Sequence, residues 1–121
     1  VMANNLKADA FISIHINGAE NGIERGIETY AHYNSPQDAW ALAWYIHDNL
    51  VKELRLFDRG LKADNFHVIR ETNMESVLLE IGFITDPTEE NLLRQSSTRE
   101  KAAKAVYNGI LTYFNNLSVD N

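Results

Sequence analysis

The chain has 121 residues, 45% of them hydrophobic and 23% charged, the make-up of one globular domain around a single core. A formal charge of −6 disfavours nucleic acid or an anionic membrane surface as the main partner. Cysteine is absent, which excludes disulfides, thiolate zinc sites and thiol nucleophiles, so any metal site must be built from His, Asp and Glu.

The opening "VMANNLKAD" reads as the tail of a helix, and the missing initiator methionine suggests a processed or truncated chain. A strand is predicted over 10–17, where Ile12, Ile14 and Ile16 alternate with Phe11, Ser13, His15 and Asn17. After the loop "NGAENG", "RGIETYAH" (25–32) predicts a second strand, with Ile27 and Thr29 alternating against Glu28 and Tyr30. "SPQD" announces a helix, with Ser35 as N-cap and Pro36 at the first helical position. Up to Leu54 it carries one apolar stripe of Ala39, Leu42, Ala43, Ile46, Leu50 and Leu54. Trp40, Trp44, His47 and Val51 form an adjacent stripe, and so broad an arc predicts a helix laid on a sheet.

"FDRGLKADN" (57–65) reads as a loop, "FHVIR" (66–70) as a short strand and "ETNME" as a turn. "SVLLEIGF" (76–83) is continuously apolar, as in a strand covered on both faces. "DPTEENLLR" starts a helix with Asp86 as cap, Pro87 at the first position and Glu89 completing a capping box. The last helix is expected to be capped by Ser97 with Glu100, and to bury Ala102, Val106, Gly109 or Ile110, Tyr113 and Leu117. No repeat or linker divides residues 1–121, and no apolar run approaches the ~18 residues of a membrane span. The pattern predicts an α/β fold, a three-layer sandwich whose largely parallel sheet is covered by helices on both faces.

Two residues break the apolar logic of their strands: His15 in the first and Glu80 inside "VLLEIGF". An unpaired carboxylate in an apolar strand costs several kcal/mol, so Glu80 needs a partner or a task. The partner could be Arg70 or Arg25, and His15 could be a hydrogen-bonded structural residue. Alternatively both point past the carboxyl ends of their strands, where open α/β sheets bind ligands. There His15 would help to hold zinc and Glu80 would take a proton from water, although one histidine is short of the about three ligands a catalytic zinc requires. Asn17 could support the histidine ring, and His67 could line a groove. His47 reads as packing, His32 as surface, and Glu28 as a ligand or an ion-pair partner. Phosphate-loop and nucleophile-elbow motifs are missing.

In order and with suitable gaps, "ADAFISIHINGA", "RGIETY", "RGLKADNFHVIRET" and "VLLEIGFITDPTEENLL" resemble the zinc-dependent N-acetylmuramoyl-L-alanine amidases, the amidase type 3 family of cell-wall hydrolases, autolysins and endolysins. The resemblance implies hydrolysis of the amide between N-acetylmuramic acid and L-alanine in peptidoglycan, with a phosphorylase/hydrolase-like fold incomplete at its amino terminus. It implies that His15 is a zinc ligand and that Glu80 activates the attacking water. Asn17, His67 and Arg70 fall in the supporting shell or the substrate groove. The family's "GHGG"-like turn and the glutamate after it are not found in this sequence, so the other ligands of the single Zn2+ are expected outside the chain. The chain is then the carboxyl-terminal two-thirds of one catalytic domain, inactive alone, with a sheet edge or face exposed. The same resemblance implies a protein of bacterial or phage origin acting on peptidoglycan in the wall, outside the cell or in the periplasm; a monomer is expected. The alternative is a non-catalytic peptidoglycan-binding or regulatory fragment that keeps the fold without the metal.

Overall fold

The computed structural model describes residues 2–66, 69 and 74–120, with side chains up to 117. In chain order the elements are α1 (Met2–Asn5), β1 (Ala10–Asn17), β2 (Ile27–His32), α2 (Gln37–Leu54), β3 (Asp58–Asp64), β4 (Glu75–Phe83), α3 (Pro87–Arg94) and α4 (Ser96–Asp120). The four strands form one sheet in the order β1-β4-β2-β3. β1 runs parallel to β4 and β2 parallel to β3, while β2 and β4 are antiparallel, so the sheet is mixed.

β4 is an inner strand, flanked by β1 and β2, and its apolar run follows from that place. Val77, Leu79 and Ile81 meet Ile27 of β2 and the buried faces of α2 and α4 in one cluster. In α2, Leu42, Ala43, Ile46 and Leu50 are fully buried; in α4, Ala102, Ala105, Val106 and Tyr113 join them. Gly109 is where these two helices touch. A Cβ built there would lie 2.6 Å from the Ile46 Cα and 2.9 Å from the Tyr45 carbonyl oxygen, so only glycine permits the crossing.

Several expectations are corrected. The stretch 57–65 is not a loop: Asp58–Asp64 forms β3 and pairs with β2 from Asp58 to Asp64. Its aspartates and its glycine resemble turn chemistry, but an outer strand tolerates such polarity. Ser35 does not cap α2; Pro36, extended at φ −65° and ψ 163°, occupies the cap and gives no side-chain bond. Asp86 does cap α3, accepting from the Glu89 N–H at 2.9 Å. Glu89, however, completes no capping box. Its buried carboxylate accepts from the amides of Gly26 at 3.0 Å and Phe83 at 2.9 Å, binding α3 to the end of β4 and to the residue before β2. α4 starts at Ser96, so Ser97 lies in its first turn rather than at its cap. Trp44 is 50% exposed, so the second stripe of α2 is not continuous core. Of the strand expected over 66–70, His67, Val68 and Arg70 lie outside the described residues; Ile69 is buried, with its amide turned back to the Phe66 carbonyl.

β1 forms one edge of the described sheet. Its face toward the helices leaves Ile14 60% and Ile16 50% exposed. With Ile81, Leu93, Ala102 and Val106 they line an apolar cavity of about 220 Å³. Among the described residues, no helix is long and apolar enough to cross a membrane.

Candidate active site

The other face of the sheet carries the chemistry. His15 of β1 pairs in register with Glu80 of β4, and Glu80 pairs in register with Glu28 of β2. Side chains alternate along strands and neighbouring strands lie about 4.8 Å apart, so these three form one row across the sheet. Just beyond Glu80, Gly82 takes the left-handed conformation at φ 80°. There the β1–β4 register shifts between His15 and Asn17, and the row ends in an irregularity next to the acid.

His15 is exposed, and its Nε2 lies 2.7 Å from the Ser13 hydroxyl. Glu80 keeps one buried oxygen, Oε2, without a hydrogen-bond partner among the described residues. Burial pushes its carboxyl above the ordinary range; His15 pulls the other way, and Glu28 adds to the rise. Arg25, one of its imagined partners, lies instead over the Phe57 ring, 5.8 Å from the centroid. Arg70, the other, lies outside the described residues, as does His67.

Glu28 is the opposite case. It is 3% exposed, yet its carboxylate accepts four bonds: Asn17 Nδ2 at 2.7 Å and Tyr30 OH at 2.8 Å on Oε1, Arg59 Nε at 3.0 Å and Lys62 Nζ at 2.8 Å on Oε2. Arg59 also meets Glu24 at 2.7 Å and lies over the Phe83 ring, 5.0 Å from the centroid. Burial alone would raise the Glu28 carboxyl, but the bonds from Lys62, Arg59 and Tyr30 bring it down to about 2. Asn17 therefore spends its amide on Glu28, and its Oδ1 on the Gly18 N–H at 2.9 Å, rather than on the His15 ring. Sequence reasoning missed Arg59, Lys62 and Tyr30 as its partners; the only signal for them was Glu28 itself, an acid inside a strand.

A stability test follows. The folded-state value near 2 lies below the ordinary value of 4.5, so Glu28 stabilises the fold above pH 4.5 and that contribution fades as pH falls toward 2. Allowing for solvent around the partly exposed Lys62, this is roughly 2 kcal/mol. Denaturant unfolding between pH 6 and pH 2.5 should show the loss in the wild type and a flatter profile in Glu28→Gln. Equal slopes would count against it.

His47, expected to be a packing residue, is buried but polar in function. Its Nδ1 lies 2.8 Å from the Thr29 hydroxyl and its Nε2 2.6 Å from Asp58 Oδ1, joining α2 to β2 and β3. His32 is partly exposed and bonded to the Asn65 amide oxygen at 2.8 Å.

As a donor, His15 suits a metal site, since its imidazole is exposed and meets only the small Ser13 hydroxyl at Nε2; Glu80, in register with it, keeps an oxygen unbonded among the described residues. Glu28, with all four lone pairs occupied, does not. Among the described residues, no three His, Asp or Glu side chains gather as a metal-binding group. His15 would thus supply one of the about three protein ligands of a catalytic zinc.

A mixed sheet covered by helices thus displays an imidazole and a carboxyl group on adjacent strands, the latter with one oxygen unbonded among the described residues. The profile of the N-acetylmuramoyl-L-alanine amidases matches residues 1–112, and the chain belongs to that family. It is 40% identical over 116 residues to an uncharacterized cell wall amidase of Bacillus anthracis, covering 89% of this chain and 22% of that protein. It is 36% identical over 115 residues to the N-acetylmuramoyl-L-alanine amidase LytC of Bacillus subtilis, covering 93% of this chain and 23% of LytC. The crystal structure of an N-acetylmuramoyl-L-alanine amidase from Clostridium difficile 630 superposes with a TM-score of 0.91 at 35% identity, over 94% of this chain and 62% of that one. The chain thus spans under a quarter of those two curated relatives and under two thirds of the solved structure.

Proposed function

We propose that this chain is the carboxyl-terminal two-thirds of the catalytic domain of a zinc-dependent amidase, which hydrolyses the bond between N-acetylmuramic acid and L-alanine in peptidoglycan. The observation that carries this reading is the buried Oε2 of Glu80, unbonded among the described residues, on an inner strand in register with His15. A carboxylate desolvated in this way holds a proton more readily than one in water, which suits it to take up and return a proton during a reaction. Glu80 takes a proton from the attacking water as its oxygen bonds to the lactyl carbonyl carbon. It then returns that proton to the alanine nitrogen as the carbon–nitrogen bond breaks. His15 holds its place in the row through the β1–β4 ladder and serves as one zinc ligand, the others coming from outside these 121 residues. Zinc, when bound, would polarise the scissile carbonyl.

The exposed Ile14 and Ile16 of β1 support an incomplete domain, since further sheet and helix would cover them. A peptidoglycan substrate is the ground for reading the protein as acting outside the cytoplasm, where that polymer lies. The reading as a non-catalytic, metal-free wall-binding fragment draws on the absence of a three-ligand group among the described residues. Elemental analysis of the full-length protein separates the two. One bound zinc is expected, falling at least about tenfold in His15→Ala, together with release of free L-alanine amino termini from purified peptidoglycan. A metal-free wild type that binds peptidoglycan without cleaving it would establish the fragment reading instead. Unchanged zinc in His15→Ala would remove His15 from the ligand set.

A further inference from the structure

We propose that Glu28 is a positioning residue of this site: its carboxylate holds Asn17, and through it the carboxyl end of β1, across the strand that bears Glu80. The inference rests on the reading of Glu80 as the proton-transfer group. β1 and β2 lie on opposite sides of β4, so the 2.7 Å bond from Asn17 to Glu28 passes over that strand. It does so where the ladder is weakest, because the β1–β4 register breaks between His15 and Asn17. Among the described residues, few other bonds outside the ladder fix this end of β1, one of them from the Ala19 amide to the Thr85 hydroxyl at 3.2 Å. The Asn17 carbonyl accepts from the Ile84 amide at 2.8 Å, and its side-chain oxygen from Gly18.

Glu28 in turn is anchored from the other side. Arg59 and Lys62, both on β3, fix Oε2, and Tyr30 shares Oε1 with Asn17. Donors from three strands thus converge on one carboxylate in register with Glu80. An ion pair that merely closed the β2–β3 edge would need Arg59 and Lys62 alone. The reach to Asn17 is the part that a purely structural pair leaves unexplained. A carboxylate with every lone pair bonded has none to offer a metal, and one whose pKa is held down to about 2 takes up no proton near neutral pH, so its contribution there is geometric. Displacing a reacting group by about 1 Å can cost on the order of 100-fold in rate.

The test uses the full-length protein with a soluble muramoyl-peptide substrate, reading kcat, KM, bound zinc and thermal melting. Asn17→Ala and Glu28→Gln are expected to lower kcat about 10-fold or more, with KM within about 3-fold and zinc content unchanged. The reversed pair, Asn17→Asp with Glu28→Gln, exchanges donor and acceptor. The amide introduced on β2 then donates to the carboxylate introduced on β1, which should recover a good part of that kcat. Unchanged kcat in Asn17→Ala overturns the proposal even if Glu28→Gln does not fold. Loss of zinc in a folded Glu28→Gln would overturn it by making Glu28 a ligand, and a reversed pair no better than Glu28→Gln would overturn the link to Asn17. Glu80→Gln is run alongside: if it turns over like the wild type, the assignment of Glu80 fails, whatever the Asn17 variants show. A wild type without turnover removes the amidase reading and this role together.

Discussion

Glu80→Gln should lower amide hydrolysis by about 10²- to 10⁴-fold, the contribution usual for a positioned general acid–base. The amide side chain has nearly the same shape, so β4 should keep its pairing with β1 and β2. What it loses is the capacity to accept and return a proton. Stability should move the other way. Burial raises the folded-state carboxyl above its ordinary value, so at neutral pH the ionised Glu80 weakens the fold. Any stability gained from its protonated form is full below the ordinary value of 4.5 and is lost as pH rises through the higher folded value. Glutamine removes that penalty, and the variant should melt at or above the wild-type temperature at pH 7. Loss of activity with equal or better stability is the signature of a carboxylate kept for chemistry. A variant that retains activity, or one that melts well below the wild type, would contradict the assignment.

The second large effect concerns the core. Gly109→Ala should destabilise the protein by roughly 3 kcal/mol, at the upper end of overpacking costs, and lower the melting temperature by about 10 °C. Two terms oppose each other. Alanine is the better helix former by about 1 kcal/mol, which would favour the substitution in an isolated helix. Against it, the added methyl would lie 2.6 Å from the Ile46 Cα and 2.9 Å from the Ile46 nitrogen. Those are backbone atoms of α2, unable to swing away as a flexible side chain could, so the clash wins. Relief requires α2 and α4 to separate along the core that includes Leu42, Ala43, Ala105 and Val106. Differential scanning calorimetry checks the outcome, with Ala103→Gly on an exposed turn of α4 as a control worth only about 1 kcal/mol. A Gly109→Ala protein that melts within about 2 °C of the wild type would show that the helices can part cheaply.

The two strands that hold the site were legible because their patterns are local. The alternation of Ile12, Ile14 and Ile16 defines β1, and the unbroken run around Leu78 and Leu79 defines an inner strand in β4. His15 and Glu80 stood out against those patterns, and the structure puts them in register. β3 was illegible for the complementary reason. "DRGLKAD" looks like a turn because Arg59 and Lys62 answer a charge on a different strand, and only the folded sheet shows that Glu28 lies there. Glu89 misled in the same way. Its spacing from Asp86 suits a capping box, yet its carboxylate is drawn to the amides of Gly26 and Phe83, one of them distant in sequence. Local pattern shows which residues are odd; long-range partners decide what the oddity does.

The pairing of His15 with Glu80 has a consequence for biosynthesis. At translation rates of about 5–20 residues per second, β1 leaves the ribosome several seconds before the strand that completes its site. During that interval Glu80 is not yet in the chain, and His15 lacks the acid with which it is in register. The row of His15, Glu80 and Glu28 therefore forms only once β4 has slotted between β1 and β2, the last of the four strands to be made.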